Sequence, residues 1–131
     1  MIIKKQNVEN IDSDIYIHDD ILLTLKFDNI KKAINITLKR NVSFALYEIK
    51  FESVISFFAT SCDFWGASNR ILNFEYVKSE ESTIFPRLKK EWYETPGMTL
   101  NFPYDEFIET KIVFASGDYL TIVCKEIIVY E

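Results

Sequence analysis

Basic residues do not prevail in this chain: 15 Lys and Arg stand against 20 Asp and Glu, a formal net charge of −5. A phosphate backbone is repelled by that balance, and no basic stripe with interleaved aromatics reverses it locally. Nucleic acid is therefore not an expected partner. Histidine is scarcer still. The lone imidazole, His18, leaves a metal centre or an acid–base pair a single nitrogen to work with. Two cysteines, Cys62 and Cys124, make neither a CxxC pair nor a disulfide framework, and both read as reduced, buried thiols. No apolar run approaches the length of a membrane span, and Met1-Ile2-Ile3-Lys4-Lys5 turns polar too early for a signal peptide. The cytoplasm is the expected compartment. The motifs G-x-x-x-x-G-K-[ST], G-x-G-x-x-G and H-E-x-x-H are absent. No cofactor or metal is expected.

Glycine and proline are also few, three of each, although hairpins usually consume both. The turns must instead draw on Asp28-Asn29, Arg40-Asn41 and Ser116-Gly117-Asp118. What the chain has in quantity is alternation with a period of two. Ile21, Leu23, Leu25 and Phe27 alternate with Leu22, Thr24 and Lys26; Ile34, Ile36 and Leu38 alternate with Asn35, Thr37 and Lys39. Tyr47, Ile49 and Phe51 repeat the pattern against Glu48, Lys50 and Glu52. Successive strand side chains point to opposite faces, so these runs predict sheets with one oily and one wet face.

The 131 residues fit a single domain spanning 1–131. Strands are predicted over 20–27 and 33–39. The stretch 43–59 reads as two extended segments bent near Glu52-Ser53, with a helix as the competing reading. A strand resumes at Arg70, with Leu72, Phe74 and Tyr76 on one face. Pro86 to Glu94 carries good helix formers, a proline suited to the first turn, and Leu88 and Trp92 one turn apart; Thr95-Pro96-Gly97 stops it. Strands over 107–115 and 119–130 then flank Ser116-Gly117-Asp118. Residues 1–19 are a lead-in strand or coil. The expected fold is mainly β, an antiparallel sandwich or strongly curved sheet with one short helix.

Few constellations carry chemistry. His18-Asp19-Asp20 brings an imidazole beside two acids, but neighbouring strand side chains diverge, which suits a solvated turn better than a metal or catalytic site. A hydrolase built on His18 and Asp19 is the least favoured reading. Cys62, Ser61 and Ser68 lack a second histidine to activate them. Asp105, Glu106 and Glu109 show no facing carboxylate, so a glycosidase pair does not follow. Trp65-Gly66 marks a tight corner or, alternatively, an exposed anchor for a partner. Trp65 and Tyr104 also suit a small-ligand or carbohydrate module.

A His18-Asp19 step into an alternating strand, then Ile49-Lys50-Phe51-Glu52-Ser53-Val54, then Trp65-Gly66-Ala67-Ser68 before Ile71, then the Ser116-Gly117-Asp118 hairpin form an ordered set. This order resembles small bacterial β-rich proteins grouped with the immunity proteins of polymorphic toxin systems. The resemblance implies a cytoplasmic protein that neutralises a cognate toxin without catalysis, and it transfers no functional residue. Together with the negative charge, it predicts occlusion of a basic protein partner, with the 78–104 excursion as the candidate face. Trp92 and Tyr93 are the expected anchors, with Trp65 as a further one; Glu80, Glu81, Glu91 and Glu94 are expected to steer. Exposed edge strands would also allow a homodimer.

Overall fold

The computed structural model describes residues 1–60 and 69–131. The predicted Trp65 anchor, the Trp65-Gly66 corner and Cys62 lie outside the described residues. In chain order the elements are β1 (Ile2–Ile3), α1 (Ile11–Asp14), β2 (Ile21–Asp28), β3 (Ala33–Lys39), β4 (Leu46–Glu52) and β5 (Ser56–Ala59). After these come β6 (Ile71–Val77), α2 (Phe85–Glu94), β7 (Ile108–Phe114), β8 (Tyr119–Cys124) and β9 (Glu126–Tyr130). The strands form two antiparallel sheets, in the orders β1-β9-β4-β3-β2 and β5-β8-β7-β6. The fold is mainly β with one main helix, as the period of two predicts.

Two crossings tie the sheets together. The chain leaves the first sheet after β4 and enters the second at β5; β8 leads back into the first sheet as β9. The crossings run side by side, because Lys125 N–H donates to the Glu52 carbonyl at 3.0 Å and Ile55 N–H to the Val123 carbonyl at 2.9 Å. Bends of this kind make the corners of crossed sheets. β2 runs across the second sheet in the same sense: Ile21 bridges Arg70 ahead of β6, while the Phe27 ring lies 4.8 Å from that of Phe57 in β5.

Ser53 sits at the first corner with φ +55°, a left-handed conformation that costs a residue with a Cβ about 1–3 kcal/mol. Ser53→Gly is expected to raise stability by about 0.5–1 kcal/mol, strain relief exceeding the added chain entropy. A urea midpoint that falls in the variant would contradict this.

Between the sheets lies a core to which Leu38, Ile36 and Ile34 of β3 and Tyr47, Ile49 and Phe51 of β4 contribute. Opposite them stand Phe74, Ile112, Phe114, Leu120 and Ile122, and the Phe51 and Phe74 rings meet edge to face at 6.3 Å. Cys124 is a buried free thiol. The lead-in segment is part of this core: Ile3, Val8, Ile11, Ile15 and Ile17 are each at most 3% exposed.

Three departures from the predicted strands share one cause, a change of phase. β2 slips register between Leu22 and Thr24, so Leu22 is buried while Leu23 is exposed; Leu25 then packs against the core, and Phe27 stays exposed. β6 slips between Ile71 and Asn73, which buries Ile71 in place of Leu72. The predicted single strand 119–130 breaks at Lys125. Leu120, Ile122 and Cys124 face inward before the corner, and Ile127 and Val129 after it. A bulge or corner adds one residue and flips every later side chain.

α2 packs on part of the outer face of the second sheet, against Val123 of β8. Ser82 Oγ accepts the N–H groups of Ile84 and Phe85 at 3.1 and 3.0 Å, and a proline follows in the first turn. These satisfy or remove amides that the helix start leaves unpaired. Phe85 and Leu88 pack with Phe102, Phe107 and Val123 into a second apolar cluster, against which Trp92 and Tyr104 lean.

Candidate functional site

Beside the start of α2 the outer face of the second sheet stays open and forms a groove of about 470 Å³. β-Sheet register sets its floor. Phe58, Thr121 and Lys111 stand in one cross-strand row, and Val123, Glu109 and Val77 in the next. Ile84 and Arg87 of the helix side and Tyr119 of β8 rise around them, with Glu81 at the rim. Phe58 is 54% exposed, and its ring lies 6.1 Å from that of Tyr119.

Glu109 is the unusual member. It is only 4% exposed, on a sheet face where a solvated acid would cost nothing. The Ser82 hydroxyl donates to its Oε1 at 2.6 Å, so one serine both caps α2 and holds this carboxylate. Burial pushes the Glu109 carboxyl above the ordinary glutamate range; the Ser82 hydroxyl and the charge of Lys5 pull it part of the way back. Strongly desolvated acids in grooves are functional candidates on physical grounds.

The shift has a definite sign for stability. In the unfolded chain Glu109 ionises near its ordinary value of 4.5, whereas the folded carboxyl keeps its proton to higher pH. The native state then binds more protons, so this group costs stability progressively as pH rises from about 4.5 through the folded value. Glu109→Gln does not titrate. The melting temperature of the variant relative to wild type is expected to rise between pH 4 and pH 7, and a flat difference would contradict it.

Of the expected anchors, Trp92 is spent largely inside. Its Nε1–H donates to the Leu100 carbonyl at 2.9 Å, and its ring meets Phe102 at 5.7 Å. Tyr93 is 49% exposed, yet its hydroxyl accepts the Phe102 N–H at 3.1 Å. Both pin the 95–104 return. Glu91 and Glu94 project into solvent beside Arg87 and Lys90, at 3.8 and 3.9 Å, so their field is partly cancelled. Glu80 and Glu81 lie in an exposed 3-10 turn, Ser79–Glu81. Tyr104 packs edge to face on Phe102 at 4.8 Å under Lys89.

Only Asp20 parts from the other two: His18 and Asp19 stay together, contrary to the divergence expected of strand neighbours, because they lie in a turn with Asp19 at φ +69°. His18 Nδ1 pairs with Asp19 at 3.1 Å, and Asp19 also pairs with Arg70. Asp20 turns inward and is not solvated. Its Oδ2 accepts from the Tyr47 hydroxyl and from Arg40 at 3.0 Å, and its Oδ1 from the Asn41 N–H at 3.0 Å. Arg40 in turn stacks 3.9 Å from the Tyr47 ring centroid and reaches Glu131 at 2.7 Å. Among the described residues no group of three His, Cys, Asp or Glu is disposed to hold a metal ion.

Two features escape sequence reasoning. Glu109 looks like any polar residue of a half-wet strand; only the Ser82 loop and α2 packed over it make it distinctive. Val42 and Phe44 of the β3–β4 turn and Leu46, the first residue of β4, are 62–88% exposed, with Phe44 at φ +61°; alternation alone places Phe44 in a strand. Comparison with protein-family models, with curated proteins and with solved structures finds no match to this chain. Among the described residues no helix is long and apolar enough to cross a membrane.

Proposed function

We propose that this protein is a non-catalytic binding protein that occludes a protein partner, and that the partner is a toxin to which it confers immunity. The observation that carries the reading is the groove on the second sheet, where exposed Phe58 and half-buried Tyr119 flank a desolvated carboxylate. Aromatic side chains set in a concave surface are the usual source of interface affinity, and the acidic net charge favours encounter with a basic partner. Glu81 of the Ser79–Glu81 turn adds a carboxylate at the rim.

The test is co-expression of each neighbouring gene product with and without this chain. One product is expected to be toxic alone and tolerated in a stoichiometric complex, with rescue weakened by Phe58→Ala combined with Tyr119→Ala. Absence of any toxic neighbour, or a rescue indifferent to both substitutions, would contradict the proposal. A small ligand is the second reading, because the groove's volume lies in the range of small-molecule sites. A thermal-shift panel of metabolites distinguishes it, since a native-state ligand raises the melting temperature.

A further inference from the structure

The chemistry of the groove also limits what enters it. Glu109 Oε1 is held by Ser82, whereas Oε2 has no hydrogen-bond partner among the described residues. No fully buried side-chain oxygen or nitrogen there is left unsatisfied, so Oε2 keeps some exposure, and Glu109 lines the groove. A carboxylate oxygen in so closed a wall is under-solvated and is stabilised by an incoming donor. Among the described residues none of the nearby cations forms an ion pair with Glu109, although the charge of Lys5 reaches it. Lys111 lies over the Tyr119 ring at 4.4 Å, Arg87 reaches Ser56 and Glu91, and Lys5 bonds Ser79 at 3.1 Å. Val77 and Ile84 supply apolar walls beside Glu109, and Glu81 a second acid at the rim.

Apolar walls leading to a carboxylate match an aliphatic stem that ends in a cation. Resting on the binding reading above, we infer that the groove receives an arginine or lysine side chain of the partner, its cation bonded to Glu109 Oε2. Phe58 and Tyr119 border the same groove and would pack on the surrounding partner surface.

The test uses the intact chain with glutamate carboxyl carbons labelled for NMR, titrated with N-acetyl-arginine amide. N-acetyl-norleucine amide, which keeps the stem without the charge, and N-acetyl-glutamate amide are the other arms. The arginine compound is expected to move the Glu109 carboxyl resonance saturably, with binding at least about tenfold weaker in Glu109→Gln. The norleucine compound is expected to bind about tenfold more weakly than the arginine one. Binding of the glutamate compound in preference, an arginine titration unaffected by Glu109→Gln, or no arginine binding would each overturn the inference. Toxin rescue that survives Glu109→Gln unchanged would do the same while leaving occlusion standing; failure of all rescue would remove occlusion itself. A melting curve of Glu109→Gln at the pH of the titration accompanies the binding, so that weakened binding is read from folded protein only.

Discussion

Asp20→Ala is expected to destabilise the protein by about 3–5 kcal/mol, which for a chain of this length lowers the melting temperature by about 10–20 °C. The carboxylate is 4% exposed and carries three donors: the Tyr47 hydroxyl, the Arg40 guanidinium and the Asn41 N–H. Removing it leaves the buried Tyr47 hydroxyl and the Asn41 N–H without their acceptor and Arg40 with only Tyr16 and Glu131, and the penalty is desolvation rather than the lost contacts alone. The damage also spreads. Arg40 ties Tyr16 and Glu131 to the same point, so the lead-in segment and the C-terminal end loosen together. Tyr47→Phe is the informative comparison. It deletes one donor and leaves the Arg40–Asp20 pair intact, so a loss of about 1–1.5 kcal/mol is expected. Equal losses in the two variants, by urea denaturation, would show that Asp20 acts only through Tyr47.

Phe51→Ala is expected to cost about 3–5 kcal/mol, because the ring is fully buried and the sheets on either side are each braced by their own ladder. Phe74→Ala should cost a similar amount. Their rings meet edge to face at 6.3 Å across the interface, so the double variant should fall short of the sum by about 0.5–1.5 kcal/mol. Strict additivity in a denaturation cycle would mean that the two sheets are not coupled through this pair.

These residues also show how far a sequence can be read. β3 and β4 keep one phase from end to end, so Ile34, Ile36, Leu38, Tyr47, Ile49 and Phe51 were all legible as core. α2 was legible from Pro86 and the Leu88–Trp92 spacing. Leu23, Leu72 and Lys125 were not, because a bulge or corner changes phase at one residue and leaves no compositional mark. The lead-in was missed for a different reason: Ile3, Val8, Ile11, Ile15 and Ile17 are buried in a mix of strand, short helix, turn and coil with no common period. The site was legible only in outline. Aromatics near the excursion drew notice, but Trp92 and Tyr93 turn back on their own loop. Glu109 became singular only once Ser82 and α2, from another stretch of chain, closed over it.

Occlusion through the second sheet is tested most directly by hydroxyl-radical footprinting of the chain alone and in the complex recovered from co-expression. Phe58 and Tyr119 are expected to lose reactivity in the complex, while Val42 and Phe44 of the β3–β4 turn and Leu46 of β4 keep theirs. Protection of Val42, Phe44 and Leu46 with unchanged oxidation of Phe58 and Tyr119 would contradict recognition by the groove.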